Sequence, residues 1–291
     1  MAGMSAIERQ TLRGADVDLA ADVTGPVDGQ PILFLHGSGQ TRQSWGKALV
    51  EAARHGFRAL SMDLRGHGDS GWSPDGRYDL TVFADDLRAV LAQLDRPPVV
   101  VGASLGGIVG MIVAAADPAA IRALVLVDIT ATVDMEGANE VIAFMNAGSD
   151  GFASIEEAAA AVSAYLPHRD KPQSSRGLAK NLRQRGARWY WHWDPAFMTM
   201  GVDAKQEAEG PTVLETAARG LTIPTLLIRG GRSRIVTEEG ARAFLEMVPH
   251  ADYVHIDGAH HMVAGDANDA FNDAVFRFAD RQVEGSSQAD G

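Results

Sequence analysis

The chemistry in this chain starts from one serine set between glycines. Gly102-Ala-Ser-Leu-Gly106 follows the β-branched run Val99 to Val101 and runs into the alanine-rich, helix-forming stretch Ile108 to Ala116. That order is strand, sharp turn, helix, with Ser104 at the turn. Such a turn strains the backbone at the serine and lifts its hydroxyl above the sheet edge, and glycine two residues to either side lets strand and helix pass closely. An ordinary strand-to-helix connection with a capping serine uses the same letters; the valine run and the helix behind it favour a nucleophile. A hydroxyl is a poor nucleophile near neutrality until a histidine takes its proton, and that histidine needs a carboxylate to hold its tautomer and stabilise its charge. The oxyanion then formed needs preorganised N–H donors. The amide of Leu105, directly after Ser104, is one candidate, and an amide at or near Ser38, in the turn after an earlier apolar run, is the other.

The elements that must position these groups are legible as short apolar runs. Pro31 to His36, Phe57 to Asp63, the run into Ser104, Ala123 to Asp128, Ile223 to Ile228 and Tyr253 to Ile256 read as strands, most with the continuous apolar texture of strands covered on both faces. Leu12 to Val23 reads as one or two antiparallel edge strands beside the turn signal Thr24-Gly-Pro. Helical patterns lie between, at Gln43 to Arg54, Leu80 to Leu94 and Asp266 to Arg281. This alternation specifies an α/β fold with a mostly parallel, doubly wound sheet. From Thr130 the pattern changes. Gly137 to Met145 and Ser154 to Tyr165 read as helices, Arg183 to Arg188 is basic, and no strand pattern returns before Ile223. The expected organisation is a core of residues 1–130 and 216–291, with residues 131–215 forming a helical cap inserted between two sheet strands. Trp189, Trp191 and Trp193 concentrate three of the five tryptophans there, and could line an apolar pocket or form the cap's own small core.

Composition bounds the partners. The 291 residues, 46% hydrophobic, suffice for a sizeable core, and the net charge of -12 argues against nucleic acid and anionic membranes. No cysteine is present, which excludes disulfides, thiolate metal sites and a cysteine nucleophile. The first ten residues lack a secretory signal, and no apolar run reaches the roughly 20 residues of a membrane span, so a cytoplasmic location is expected. Gly102-x-Ser-x-Gly lacks the lysine of a phosphate loop, and His260-His261 lacks metal-ligand spacing, so the expected cofactors and metals are none. A small-molecule substrate is the expected partner, with a homo-oligomer left open.

In an open parallel sheet, ligands bind beyond the carboxyl ends of the strands. The residues there are His36 to Ser38, Asp63, Ser104, Asp128, Arg229 to Arg234 and Asp257 to His261. Four stretches in this order, HGSGQTRQSW, DLRGHGDS, GASLGG and GAHHMVAGD, resemble the α/β-hydrolase fold superfamily. The resemblance covers residues of about 12 to 130 and 216 to 281, and the insertion resembles that superfamily's helical cap in position only. It implies a serine nucleophile at Ser104 and the catalytic histidine at His261, with His260 a loop residue. His36 and His67 fall in loop motifs that shape the site, and His36 joins Trp189, Trp191 and Trp193 as the substrate-binding set. The usual acid slot departs from the pattern: Arg234 stands where such proteins carry aspartate, and arginine cannot orient a neutral imidazole. Some members place the acid at the end of the strand after the nucleophile helix, which is Asp128 here; Glu238 and Glu239 read as first-turn helix residues. The implied activity is hydrolysis of a small, largely apolar carboxylic ester or lactone through an acyl-enzyme. A cofactor-free perhydrolase of haloperoxidase type is one alternative, and a non-catalytic ligand-sensing pseudo-hydrolase, suggested by Arg234, is the other.

Overall fold

A computed structural model describes residues 6–166, 175–199, 212–266 and 268–287. Its strands are β1 (Glu8–Arg13), β2 (Asp18–Thr24), β3 (Pro31–Leu35), β4 (Arg58–Met62), β5 (Val99–Ala103), β6 (Ala123–Val127), β7 (Leu182–Arg185), β8 (Arg188–Trp191), β9 (Thr225–Gly230) and β10 (Asp252–Ile256). The first five helices are α1 (Gly46–Arg54), α2 (Leu80–Leu91), α3 (Leu105–Ala116), α4 (Met135–Asn146) and α5 (Ile155–Tyr165). The rest are α6 (Ser175–Leu178), α7 (Val213–Arg219), α8 (Glu238–Met247), α9 (Val263–Asp266) and α10 (Asn268–Ser287).

Eight strands form one sheet in the order β1-β2-β4-β3-β5-β6-β9-β10. The pairs β1·β2 and β2·β4 are antiparallel, and every pair from β4 to β10 is parallel. The two edge strands suggested by Leu12 to Val23 are thus a hairpin that closes one side of a parallel sheet.

Period-two alternation explains why the central strands read as unbroken apolar runs. In β3, Ile32 and Phe34 face one core with α1 and α10, while Leu33 and Leu35 face a second core with α2 and α3. All four side chains are fully buried, because helices cover both faces. Two buried ion pairs brace the loops that leave β3 and β4. Arg42 binds Asp63 through its backbone amide and its guanidinium, and donates at 2.8 Å to Asp22. Arg65 forks onto both oxygens of Asp86, at 2.6 and 2.7 Å. Such pairs compensate each other's desolvation and fix loop geometry more than they add stability.

Between β6 and β9 the chain forms a cap. Its helices α4 and α5 match the two helical patterns, each with a side-chain N-cap, Asp134 and Ser154. The expectation that no strand interrupts this segment needs correction. Strands β7 and β8 form an antiparallel hairpin that pairs Arg183 with Tyr190 and Leu182 with Trp191. Gly186, at φ +60, makes the tight turn, and the alternating tryptophans supply the β-forming residues. Its arginines hid the strand pattern, since they leave no apolar alternation to read.

Candidate active site

Ser104 sits at φ 47, ψ −118, between the end of β5 and the first turn of α3. A non-glycine residue there is strained, and the surroundings enforce it. A Cβ on Gly102 would lie 2.5 Å from the Gly106 carbonyl oxygen, and one on Gly106 would lie 2.5 Å from that of Leu35. Both glycines are therefore required by backbone contact, and the serine between them has no choice of conformation. Its side chain makes no capping bond to the helix, which leaves the hydroxyl at the site free for chemistry.

Asp128 follows β6 at φ 51, a left-handed position that aspartate tolerates. Its carboxylate is fully buried and accepts three hydrogen bonds. The Gly230 amide donates to Oδ1 at 2.9 Å, while the Ser233 hydroxyl and His261 share Oδ2, His261 through Nδ1 at 2.7 Å. The register of β6 against β9, which pairs Val127 with Ile228, is what brings Asp128 beside the turn after β9. With Nδ1 donating to a carboxylate, the His261 ring presents Nε2 as an acceptor. Ser104 and His261 both line a cavity of about 450 Å³ between sheet and cap.

Ser38 also lines that cavity, and its amide has no acceptor among the described residues. Leu105 is the first residue of α3, where the amide has no acceptor within the helix. Both candidate oxyanion donors therefore lie beside Ser104 with unspent N–H groups. Trp191 and Trp193 line the cavity, stacked with ring centroids 5.1 Å apart, together with Phe144 and Met145 of α4 and Val162 of α5.

Two members of the expected substrate-binding set lie elsewhere. Trp189 is outside the cavity: it shares a face of β8 with Trp191 but lies two residues nearer the hairpin turn, where it bridges to Phe152. His36 is fully buried, with Nε2 accepting from the Leu64 amide at 2.9 Å and Nδ1 donating to the Gly37 carbonyl at 2.8 Å, so it has no group to offer a substrate. Arg234 does not oppose the histidine. It is 60% exposed and reaches away to the cap, bonding Glu140 at 2.7 Å and Glu136 at 3.2 Å. Glu238 and Glu239 stand in the first turn of α8, Glu239 paired with Arg242, and His260 lies outside the cavity. His255 bridges Arg229 and Asp257 on β10. Sequence reasoning missed Ser233 and the Gly230 amide, whose only signal was their place directly after an apolar strand. Among the described residues, no group of three or more His, Asp or Glu side chains could hold a metal ion, and no helix is long and apolar enough to cross a membrane.

Burial holds His36 and His67 neutral, lowering their pKa to about 4 and about 3; for His67 the neighbouring His36 lowers it further, against Asp63. In the unfolded chain both would titrate near 6.5. As pH falls below that value the unfolded chain takes up protons that the folded chain refuses, so stability from these groups is complete above about pH 6.5 and is lost on acidification. Thermal melts from about pH 7 to about pH 4.5 should show a steeper loss in the wild type than in His67→Gln. Parallel curves would mean that His67 is not held neutral.

Residues 32–274 match the alpha/beta hydrolase family. The chain belongs to that family. It is 33% identical over 247 residues to an esterase of Mycobacterium tuberculosis, covering 81% of this chain and 78% of that protein. It is 30% identical over 278 residues to an sn-1-specific diacylglycerol lipase of Mus musculus, covering 89% and 83%. The crystal structure of an E-2-(acetamidomethylene)succinate hydrolase superposes with a TM-score of 0.79 at 25% identity, covering 94% of this chain and all of that one. Members of this fold differ in chemistry, so the family fixes the architecture and leaves the reaction to the site.

Proposed function

We propose that this α/β hydrolase is a serine esterase that cleaves a small, largely apolar carboxylic ester or lactone through an acyl-enzyme. The observation that carries this reading is the hydrogen bond from His261 Nδ1 to the buried Asp128, at the wall of the cavity onto which Ser104 opens. Relatives named an esterase and a diacylglycerol lipase support an ester as substrate. In this mechanism His261 Nε2 takes the proton as Ser104 Oγ attacks the ester carbon. The amides of Leu105 and Ser38 receive the oxyanion, and the protonated imidazole, steadied by Asp128, returns its proton to the departing alkoxide. A water molecule activated by the same histidine then releases the acid and restores Ser104. The lining from Phe144, Met145, Val162, Trp191 and Trp193 favours an apolar acyl or alkyl group.

The test is reaction of the purified protein with a fluorophosphonate, with the adduct mapped by mass spectrometry. Rapid labelling at Ser104 is expected, since the probe needs an activated serine and no particular substrate. A folded protein that stays unlabelled would end the esterase reading and favour a ligand-sensing role. Arg234, which motivated that role, is answered by its pairing with Glu136 and Glu140. Arg234→Ala should accordingly keep its labelling rate and kcat/KM within about twofold of the wild type, as exposed pairs contribute little. A large gain on removing the arginine would show that it does suppress the histidine.

A further inference from the structure

Three buried imidazoles in file surround the turn that carries Ser38. Ring centroids of His36 and His67 are 5.2 Å apart, and those of His67 and His192 6.0 Å apart. The Gly37 carbonyl, which accepts from His36 Nδ1, and the Ser38 N–H belong to one trans peptide. Holding the oxygen on the buried side therefore points that N–H the opposite way.

The next residue, Gly39, adopts φ +71 and is held by a hydrogen bond through its amide. His67 Nε2 accepts from the Gly39 amide at 3.2 Å, and its Nδ1 donates to the Arg65 carbonyl at 2.9 Å. His192 comes from the cap, directly after β8. Its Nδ1 accepts from the Gly68 amide at 2.8 Å, which leaves the proton on Nε2. That buried Nε2 faces the Gly39 carbonyl without completing a full hydrogen bond. Around it the cap hairpin is fastened to the loop after β4: the Asp194 amide donates to the Gly66 carbonyl at 2.8 Å, Tyr78 donates to Asp194 at 2.6 Å, and Arg183 donates to Gly68 and Asp69, each at 2.8 Å.

We propose that His67 and the cap residue His192 are positioning residues for the oxyanion hole: His67 holds Gly39 by its N–H while His192, itself held by the Gly68 amide, packs its Nε2 against the Gly39 C=O, so the Ser38 amide is aligned only while the cap is seated on the loop after β4. The proposal rests on the esterase reading for its catalytic consequence, and on the geometry alone for the clamp. Neutral rings suit the task, because Nε2 of His67 and Nδ1 of His192 must both accept and a charged imidazole could not. An alternative role is simple anchoring of the cap. Replacement by asparagine separates the two, since its side-chain oxygen can stand in for Nδ1 towards Gly68 but cannot reach Gly39.

The experiment compares His192→Ala, His192→Asn, His67→Leu and His67→Gln in the full chain. Full loss of one oxyanion donor costs about 100- to 1,000-fold in kcat in other enzymes. Misalignment of Ser38 should lower kcat by about 10- to 100-fold in the first three variants, with KM within about threefold. His67→Gln, which restores an acceptor for the Gly39 amide, should retain most of the activity. The Ki of a trifluoromethyl ketone, whose oxyanion occupies the hole, should rise in step with the loss of kcat. Amide exchange across residues 37–40 should speed up in the same variants, and this readout needs no turnover. Unchanged exchange, or a His192→Asn protein as active as the wild type, would overturn the clamp. If the wild type hydrolyses no ester, the esterase reading fails while amide exchange still decides the clamp. Should His192→Ala fail to fold, His192→Asn and His67→Leu carry the same decision.

Discussion

Ser104→Ala is expected to lower kcat on short p-nitrophenyl esters by roughly 10⁴- to 10⁶-fold, abolish the burst of product, and prevent fluorophosphonate adduct formation. The loss should come without unfolding. The hydroxyl makes no capping bond to α3, and alanine can be held at φ 47 by the same backbone contacts around Gly102 and Gly106 that hold serine there. Removal of the group thus takes away the nucleophile and leaves the cavity, the Asp128–His261 pair and the oxyanion amides in place. Some hydrolysis above the uncatalysed rate should persist, because amides at Leu105 and Ser38 can still stabilise charge on an ester attacked by water. Steady-state kinetics and intact-protein mass measure both consequences. A variant that still shows a burst, or still carries the adduct, would move the nucleophile away from Ser104.

The fold was legible because the residues that make it obey local rules. Ile32 to Leu35 had to be a strand covered on both sides, since four consecutive buried side chains fit no single-faced strand. The turn at Ser104 was legible for steric reasons, as its glycines stand where backbone meets backbone. The β7–β8 hairpin was not, because its arginines interrupt the alternation on which strand recognition depends. The assignment of His36 to substrate binding failed for a different reason. Residue type and motif place an imidazole at the strand end, but the direction of the ring depends on the Leu64 amide, which is 28 positions away in the chain. The tryptophans divide in the same way: Trp191 and Trp193 line the cavity and Trp189 does not, although Trp189 and Trp191 share one face of β8, because Trp189 lies nearer the hairpin turn, beside Phe152. Arg234 shows the limit of reading a slot by position. The turn after β9 sends residue 234 out towards α4, while the oxygen facing His261 arrives from the end of β6. Which strand end supplies a carboxylate is a property of sheet register, and no local pattern in either segment reports it.

That register makes Asp128→Asn the most informative substitution in the acid position, with an expected fall in kcat of about 10⁴-fold. The carboxylate serves three donors at once, the Gly230 amide, the Ser233 hydroxyl and His261 Nδ1. Asparagine is nearly the same size but has one acceptor oxygen and one NH₂ group. If its oxygen stays towards His261, the NH₂ faces the Gly230 N–H, donor against donor in a fully buried site. If the amide turns over, the NH₂ faces Nδ1 of His261 and drives the ring proton to Nε2, the atom that must accept from Ser104. The Gly230 amide can only donate, whereas the Ser233 hydroxyl and the imidazole that share the other oxygen can each accept, so the turned-over form is the expected one and the histidine is locked in the wrong tautomer. Stability should fall by about 1–3 kcal/mol, the cost of a buried donor left unpaired. The kinetic loss should not add to that of Ser104→Ala, because in the absence of the hydroxyl there is no proton for His261 to take. A double variant whose kcat lies far below that of Ser104→Ala would show that Asp128 acts on something other than the serine's proton. An Asp128→Asn protein with near-wild-type kcat would remove it from the triad altogether.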